Sequence, residues 1–212
     1  MVLRKNLKNK FALISVYNKD GLKNLCGNLV KYNYKFISTG STAKKIKSYG
    51  FECLEISKLT KFKEILNGRV KTLNPKIYGS ILFNRENNEH LKEFKKLNFP
   101  KIDLVIVNLY PFSKFKNTND INKTIEMIDI GGPSLLRAAS KNYEHVTPIA
   151  ELSDYKSLIV NIKKNKGLTD IIFRKKMAGR IFKLTSSYDN QINKWFENNK
   201  KVKREKIKMR YG

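Results

Sequence analysis

Two cysteines and two histidines in 212 residues leave little room for several kinds of chemistry. Cys26 and Cys53 have neither metal-ligand spacing nor the density of a disulfide framework. Cys26 shares a predicted helix face with Leu22, Leu25 and Leu29, where a thiol acts as a small buried hydrophobe. His90 falls in a polar helical stretch and His145 in a loop before Val146, so no zinc site and no histidine-based nucleophile relay can be assembled. Long apolar runs are missing too. The most apolar, Ile102 to Phe112, is broken by Asp103 and Asn108 and falls far short of the roughly 20 residues a membrane span needs. The opening residues carry charge but no apolar segment before Phe11, so we expect no secretory signal, no membrane partner and a cytoplasmic location.

Acidic residues are also few, 18 against 44 basic ones, for a net charge of +26. Such a charge raises nucleic acid as a partner. Yet arginine is scarce: 36 of the 44 cations are lysine and 8 are arginine, while asparagine reaches 23. Readout of phosphate backbone or bases favours arginine. The lysines are scattered over nearly every predicted helix and loop, with one dense run at Lys200–Lys206. This is compositional drift rather than a dedicated surface, and no specific nucleic-acid partner is expected.

What is present is enough for one large domain, with 41% hydrophobic residues to fill a core. Phe11 to Val16 is a short apolar run with β-branched members, followed by a capping turn at Asn18–Gly21 and a helix with Leu22, Leu25, Cys26, Leu29 and Val30 on one face. Tyr34 to Ser38 repeats the strand, and Thr39-Gly40-Ser41-Thr42 repeats the turn before a second helix. Repeated strand, polar turn and helix predict right-handed βαβ units and an α/β fold with a mainly parallel central sheet. Cys53 to Ile56 reads as a short third strand, and Thr60 to Leu66 as a helical turn. Lys76 to Phe83 fits either strand or helix, and Asn88 to Leu97 is a polar helix. Ile102 to Leu109 is the strongest strand, expected to be central and ended by Tyr110-Pro111-Phe112. A loop is expected over Lys114–Asn122. After Val146 to Ala150, another strand, the chain turns helical, with an apolar stripe of Phe173, Met177, Ile181, Leu184, Tyr188, Ile192 and Trp195.

Ligands of parallel sheets bind beyond the carboxyl ends of the strands, where helix N-termini offer free N–H groups to an anion. The polar turns after the first two strands, and Asn108 and Tyr110 after the strongest, fall at such an edge, while Gly68-Arg-Val-Lys-Thr-Leu-Asn-Pro75 reads either as an oxyanion site or as a solvated basic turn. Gly68 and Pro75 mark irregular backbone, and extended residues between them would aim Arg69 and Lys71 the same way, as an oxyanion requires. Asp129-Ile-Gly-Gly-Pro-Ser134 adds a carboxylate before a helix in which Pro133 suits the first position. Arg137 and Lys141 share a face of that helix.

Taken in order, Ala12-Leu-Ile-Ser-Val16, Ser38-Thr-Gly-Ser-Thr-Ala43, Gly68-Arg-Val-Lys-Thr-Leu-Asn-Pro-Lys76, Asn108-Leu-Tyr-Pro-Phe112, Asp129-Ile-Gly-Gly-Pro133 and Leu136-Arg-Ala-Ala-Ser-Lys-Asn142 closely resemble the inosine monophosphate cyclohydrolase domain. That domain is the N-terminal half of the bifunctional purine biosynthesis family and has a methylglyoxal-synthase-like fold. The resemblance implies a three-layer α/β domain over residues 1–150 and a C-terminal helical extension over 151–198. It also implies a homodimer and dehydrating ring closure of 5-formamidoimidazole-4-carboxamide ribonucleotide, a purine-nucleotide precursor, with no metal or organic cofactor. Carried over by position, Lys71, Tyr110, Asp129 and Lys141 stand at the reacting groups. Ser15, Lys19, Thr39, Gly40, Ser41, Thr42, Arg69, Thr72, Asn108, Gly131 and Gly132 stand at the nucleotide.

Some positions depart from the family pattern. Tyr17-Asn18 replaces Ser-Asp, Ser41 replaces a glycine, Asn74 replaces a histidine and Ser140 an alanine. Tyr17 and Ser41 crowd the phosphate turn, which keeps a catalytically impaired nucleotide-binding remnant open as an alternative beside the less favoured nucleic-acid binder. Methylglyoxal synthase, of the same fold, lacks counterparts to the stretches at 108 and 129. The final Met209-Arg-Tyr-Gly212 resembles the opening of the family's formyltransferase domain. Residues 199–212 are therefore expected to be a basic linker, and no formyl transfer is expected from this chain.

Overall fold

The computed structural model describes residues 9–110, 112 and 121–198. The readings made for the opening residues 1–8, for Pro111 and for the linker at 199–212 lie outside the described residues, as does most of the loop expected over Lys114–Asn122. Strands β1 (Lys10–Val16), β2 (Tyr34–Ser38), β3 (Cys53–Glu55), β4 (Ile102–Asn108) and β5 (Thr147–Ile149) form one sheet in the order β3-β2-β1-β4-β5. Every pairing is parallel. β4 is buried along its whole length, but the middle strand is β1, a correction to the expected arrangement. The apolar run of β4 reflects helices on both faces rather than the central place.

Alternation along the strands splits the core in two. Ala12, Ile14, Val16, Leu104 and Ile106 pack with α1 (Leu22–Val30), α2 (Gly40–Ser48) and α8 (Ser153–Lys164). Leu13, Val105 and Val107 pack on the opposite face with α3 (Ile56–Thr60), α4 (Pro75–Leu82) and α7 (Gly131–Lys141). Two further helices, α5 (Asn88–Leu97) and α6 (Ile121–Glu126), precede β4 and α7 respectively. The 28-residue α9 (Ile171–Asn198) runs beside β5, an edge strand that tolerates Pro148. Met177 of α9 joins the first core and Ile181 the second, so one helix face closes both layers.

Local chemistry accounts for several boundaries. Lys61 takes a left-handed conformation and ends α3, so the helical turn expected over Thr60–Leu66 lies earlier in the chain. Asn74 accepts a hydrogen bond from the amide of Lys76, and Pro75 follows at the start of α4. That cap and proline settle the ambiguous stretch as helix. Val30 is 44% exposed and leaves the apolar face assigned to it. Ile121 and Asn122, read as loop, open α6. α7 begins at Gly131, which moves Pro133 from the first to the third helical position, still within the turn whose amides lack intrahelical acceptors.

Candidate active site

The carboxyl ends of β1, β2 and β4 open onto a cleft of about 620 Å³. Its floor is the turn into α2. Ser15 and Thr39 bring their hydroxyls within 3.2 Å of each other, and Thr39 makes no side-chain bond to its own helix. The Thr42 and Ala43 amides donate back to the Thr39 carbonyl at 3.1 Å. The Gly40 and Ser41 amides ahead of them are the orphan donors of a helix start, and they suit an anion.

Two residues assigned to the nucleotide have other commitments. The Thr42 hydroxyl accepts from the Val16 amide at 3.2 Å and donates to the Val16 carbonyl at 3.1 Å, so its buried side chain braces the turn. Lys19 lies behind the turn and lines an adjoining groove rather than the cleft. Its ammonium donates to the Val16 carbonyl at 2.7 Å, the Tyr17 carbonyl at 3.1 Å and the Ser41 hydroxyl at 3.4 Å. Burial pulls its pKa below the ordinary lysine value, because a low-dielectric surrounding penalises the charged form.

The basic stretch forms one wall. Ile65 and Val70 pair across a tight antiparallel bridge, with Gly68 at φ +88°. Arg69 takes helical angles rather than the expected extended ones. Arg69, Lys71 and Thr72 nevertheless all line the cleft. Each cation already has an acidic neighbour. Arg69 grips Glu126 through two nitrogens, the Nε–Oε2 contact being 3.2 Å, and the Lys71 ammonium lies 3.8 Å from Glu64.

Asp129 lines the same cleft. Its Oδ1 accepts from the Gly132 amide at 2.8 Å, and its own amide donates to the Tyr188 hydroxyl at 2.8 Å. Burial raises its pKa above the ordinary aspartate value, while the Gly132 amide and the Lys71 charge pull it back down. A carboxylate tuned upward beside a cation suits a general base. The glycines after it are required by close approach. A Cβ on Gly132 would sit 2.3 Å from Asp129 Oδ2, and one on Gly131 would sit 2.8 Å from the Thr72 hydroxyl.

Asn108 and Tyr110 complete the cleft from the end of β4. Asn108 donates through Nδ2 to the Ala150 carbonyl, leaving a buried Oδ1 with no partner among the described residues. Tyr110 is 42% exposed, so it is not a core aromatic. Lys141 does not join them. It is exposed at the far end of α7 and absent from the cleft lining. Ten residues of helix at ~1.5 Å each put its backbone about 15 Å from that of Gly131. Sequence reading missed Tyr188, Glu126 and Glu64. The only signal for Tyr188 was a hydroxyl at one position of an otherwise apolar stripe. Among the described residues there is no cluster of histidine, cysteine and acidic side chains that could hold a metal ion, and no helix is long and apolar enough to cross a membrane.

The sequence pattern of the family described as "MGS-like domain" matches residues 21–134, just over half of the chain. The chain belongs to the MGS-like domain family. A second pattern, "AICARFT/IMPCHase bienzyme", matches residues 139–212 of this MGS-like protein. It is 46% identical over 189 residues to the bifunctional purine biosynthesis protein PurH of Fusobacterium nucleatum, covering 88% of this chain and 37% of that protein. The PurH of Clostridium acetobutylicum is 43% identical over 187 residues, covering 88% and 37%. The chain thus spans a little over a third of the length of these relatives. Among solved structures, the crystal structure of ForH superposes with a TM-score of 0.82 at 30% identity, covering 89% of this chain and 97% of that one.

Proposed function

We propose that this MGS-like domain is an inosine monophosphate cyclohydrolase that closes the ring of 5-formamidoimidazole-4-carboxamide ribonucleotide. The observation that carries the reading is the pairing, across one cleft, of a carboxylate of raised pKa with a lysine, Asp129 and Lys71, beside an anion-binding turn at Thr39–Ser41. The nucleotide phosphate sits on the Gly40 and Ser41 amides, with the Ser15 and Thr39 hydroxyls beside it. Arg69, Thr72 and Asn108 hold the rest of the substrate.

The carboxamide nitrogen is a poor nucleophile, so holding it against the formyl carbon supplies much of the rate. Asp129 takes a proton from that nitrogen as the carbon–nitrogen bond forms. Lys71 and Tyr110 polarise the formyl oxygen and protonate it. The resulting hydroxyl leaves as water with the proton of the formamido nitrogen, and the double bond forms between that nitrogen and the former formyl carbon.

Lys141 enters this reading through a homodimer, in which a second copy brings it to the cleft that its own chain does not reach. The protein works in the cytoplasm on a small nucleotide, without a specific nucleic acid or a membrane. Residues 1–150 hold the nucleotide, and 151–198 form a helical extension of the same domain. Mixing the purified chain with the formamido nucleotide tests the reading. Inosine monophosphate should form, followed by absorbance, with no cofactor added; a chain that leaves the substrate unchanged sinks it.

A further inference from the structure

Tyr17 and Tyr110 are both exposed, 45% and 42%, yet their ring centroids are 5.0 Å apart with planes inclined at 55°. Register builds this pair. β1 and β4 run side by side with Val16 opposite Asn108, so the residues just past each strand emerge together at the sheet edge. Both rings line the cleft, and the Tyr17 carbonyl is held by the Lys19 ammonium at 3.1 Å. The Tyr110 carbonyl in turn accepts from the Phe112 amide at 2.8 Å, so both backbones are tied and the ring contact bears on the side chains. Tilted aromatic pairs at this separation attract beyond simple area burial, enough to change a conformational population about two- to tenfold.

We infer that Tyr17 is a positioning residue, whose ring holds the phenol of Tyr110 over the cleft. This rests on the reading that Tyr110 acts on the formyl oxygen. It also gives a use to a residue that the family pattern, with a small hydroxyl at this place, does not supply. Tyr17 need not touch the reacting atoms; it restricts the rotamers of the residue that does.

The test combines kinetics with a direct view of the ring. Tyr17→Ser should lower kcat about two- to tenfold at unchanged KM and unchanged melting temperature, since the ring it removes is half in solvent. Tyr17→Phe, which keeps the ring, should restore kcat. In a Tyr110→Phe background the Tyr17→Ser loss should vanish, because the hydroxyl being aimed is gone. In protein labelled with 3-fluorotyrosine, the Tyr110 fluorine resonance, assigned by its loss in Tyr110→Phe, should shift in Tyr17→Ser. An unmoved resonance, an unchanged kcat in Tyr17→Ser, or an equal loss in both backgrounds overturns the inference. A Tyr110→Phe enzyme with full kcat would instead sink the catalytic reading of Tyr110, and the fluorine resonance would still decide whether Tyr17 fixes the ring.

Discussion

The amide of Asp129 donates to the hydroxyl of Tyr188 at 2.8 Å, across 59 residues of chain. Through this bond the long C-terminal helix holds the carboxylate wall of the cleft. Phe112, Tyr188 and Trp195 form a small core there, with Ile128 and Ile192 against it. Tyr188→Phe keeps the packing but leaves a partly buried N–H without its acceptor, a loss of about 1–3 kcal/mol. We expect the melting temperature to fall by a few degrees and kcat to fall about tenfold as Asp129 loosens. A drop in stability with full kcat would reduce Tyr188 to a structural role.

Activity should depend on pH through Asp129. Its folded pKa is raised, chiefly by burial, and the ionised form is the base. As pH falls through that raised value, kcat/KM should decline, on a limb lying above the ordinary aspartate range. Lys71 is one of the two influences pulling that pKa down. Residual activity in Lys71→Ala should therefore lose its acid limb at higher pH than the parent enzyme. A limb displaced to lower pH contradicts the proposed coupling.

Much of this arrangement was legible in the chain because its signals are local. Strand, capping turn and helix recur within a few residues, so the positions of β1, β2 and β4 and the turn at Thr39–Ser41 could be read directly. Gly131 and Gly132, assigned to the nucleotide, also prove to allow a close approach by Thr72 and Asp129, which the sequence did not reveal. What could not be read depends on distance through the fold. Nothing near Thr42 reveals that its hydroxyl closes on Val16, or near Arg69 that Glu126 waits 57 residues away. Matching by position placed Lys141 among the reacting groups, but a match carries no information about which end of a helix faces which cleft. β4 has the composition of a middle strand because both its faces are covered, a condition the second strand from an edge also meets.

Arg69 and Glu126 make opposite predictions. Arg69→Ala removes a charge-assisted contact to the substrate and should raise KM about ten- to a hundredfold with little change in kcat. Glu126 competes with the substrate for the same guanidinium. Because the pair is exposed, with side chains 64% and 53% accessible, Glu126→Gln should tighten nucleotide binding by no more than about fivefold. The gain should fade as salt is added. Titration calorimetry with inosine monophosphate measures both effects, and weaker binding by Glu126→Gln would mean that this carboxylate orients Arg69 rather than competing for it.

The proposed homodimer predicts complementation. Lys71→Ala and Lys141→Ala should each be nearly inactive alone. If Lys141 reaches the cleft of the other copy, mixed dimers contain one cleft with both lysines intact. Mixing the two variants under conditions that exchange subunits should then restore up to about a quarter of the parent turnover, because statistical exchange makes half the dimers mixed, each with one intact cleft. Inactive mixtures with verified exchange contradict a shared cleft.

The central claim is that Asp129 and Lys71 act together on a formamido nucleotide, and single-turnover cyclisation by Asp129→Asn tests it most directly. The substitution keeps the size and the acceptor for Gly132 while removing the base. With substrate saturating and the fold checked by melting temperature, the rate of inosine monophosphate formation should fall by about two to three orders of magnitude. A rate equal to that of the parent chain would contradict the account.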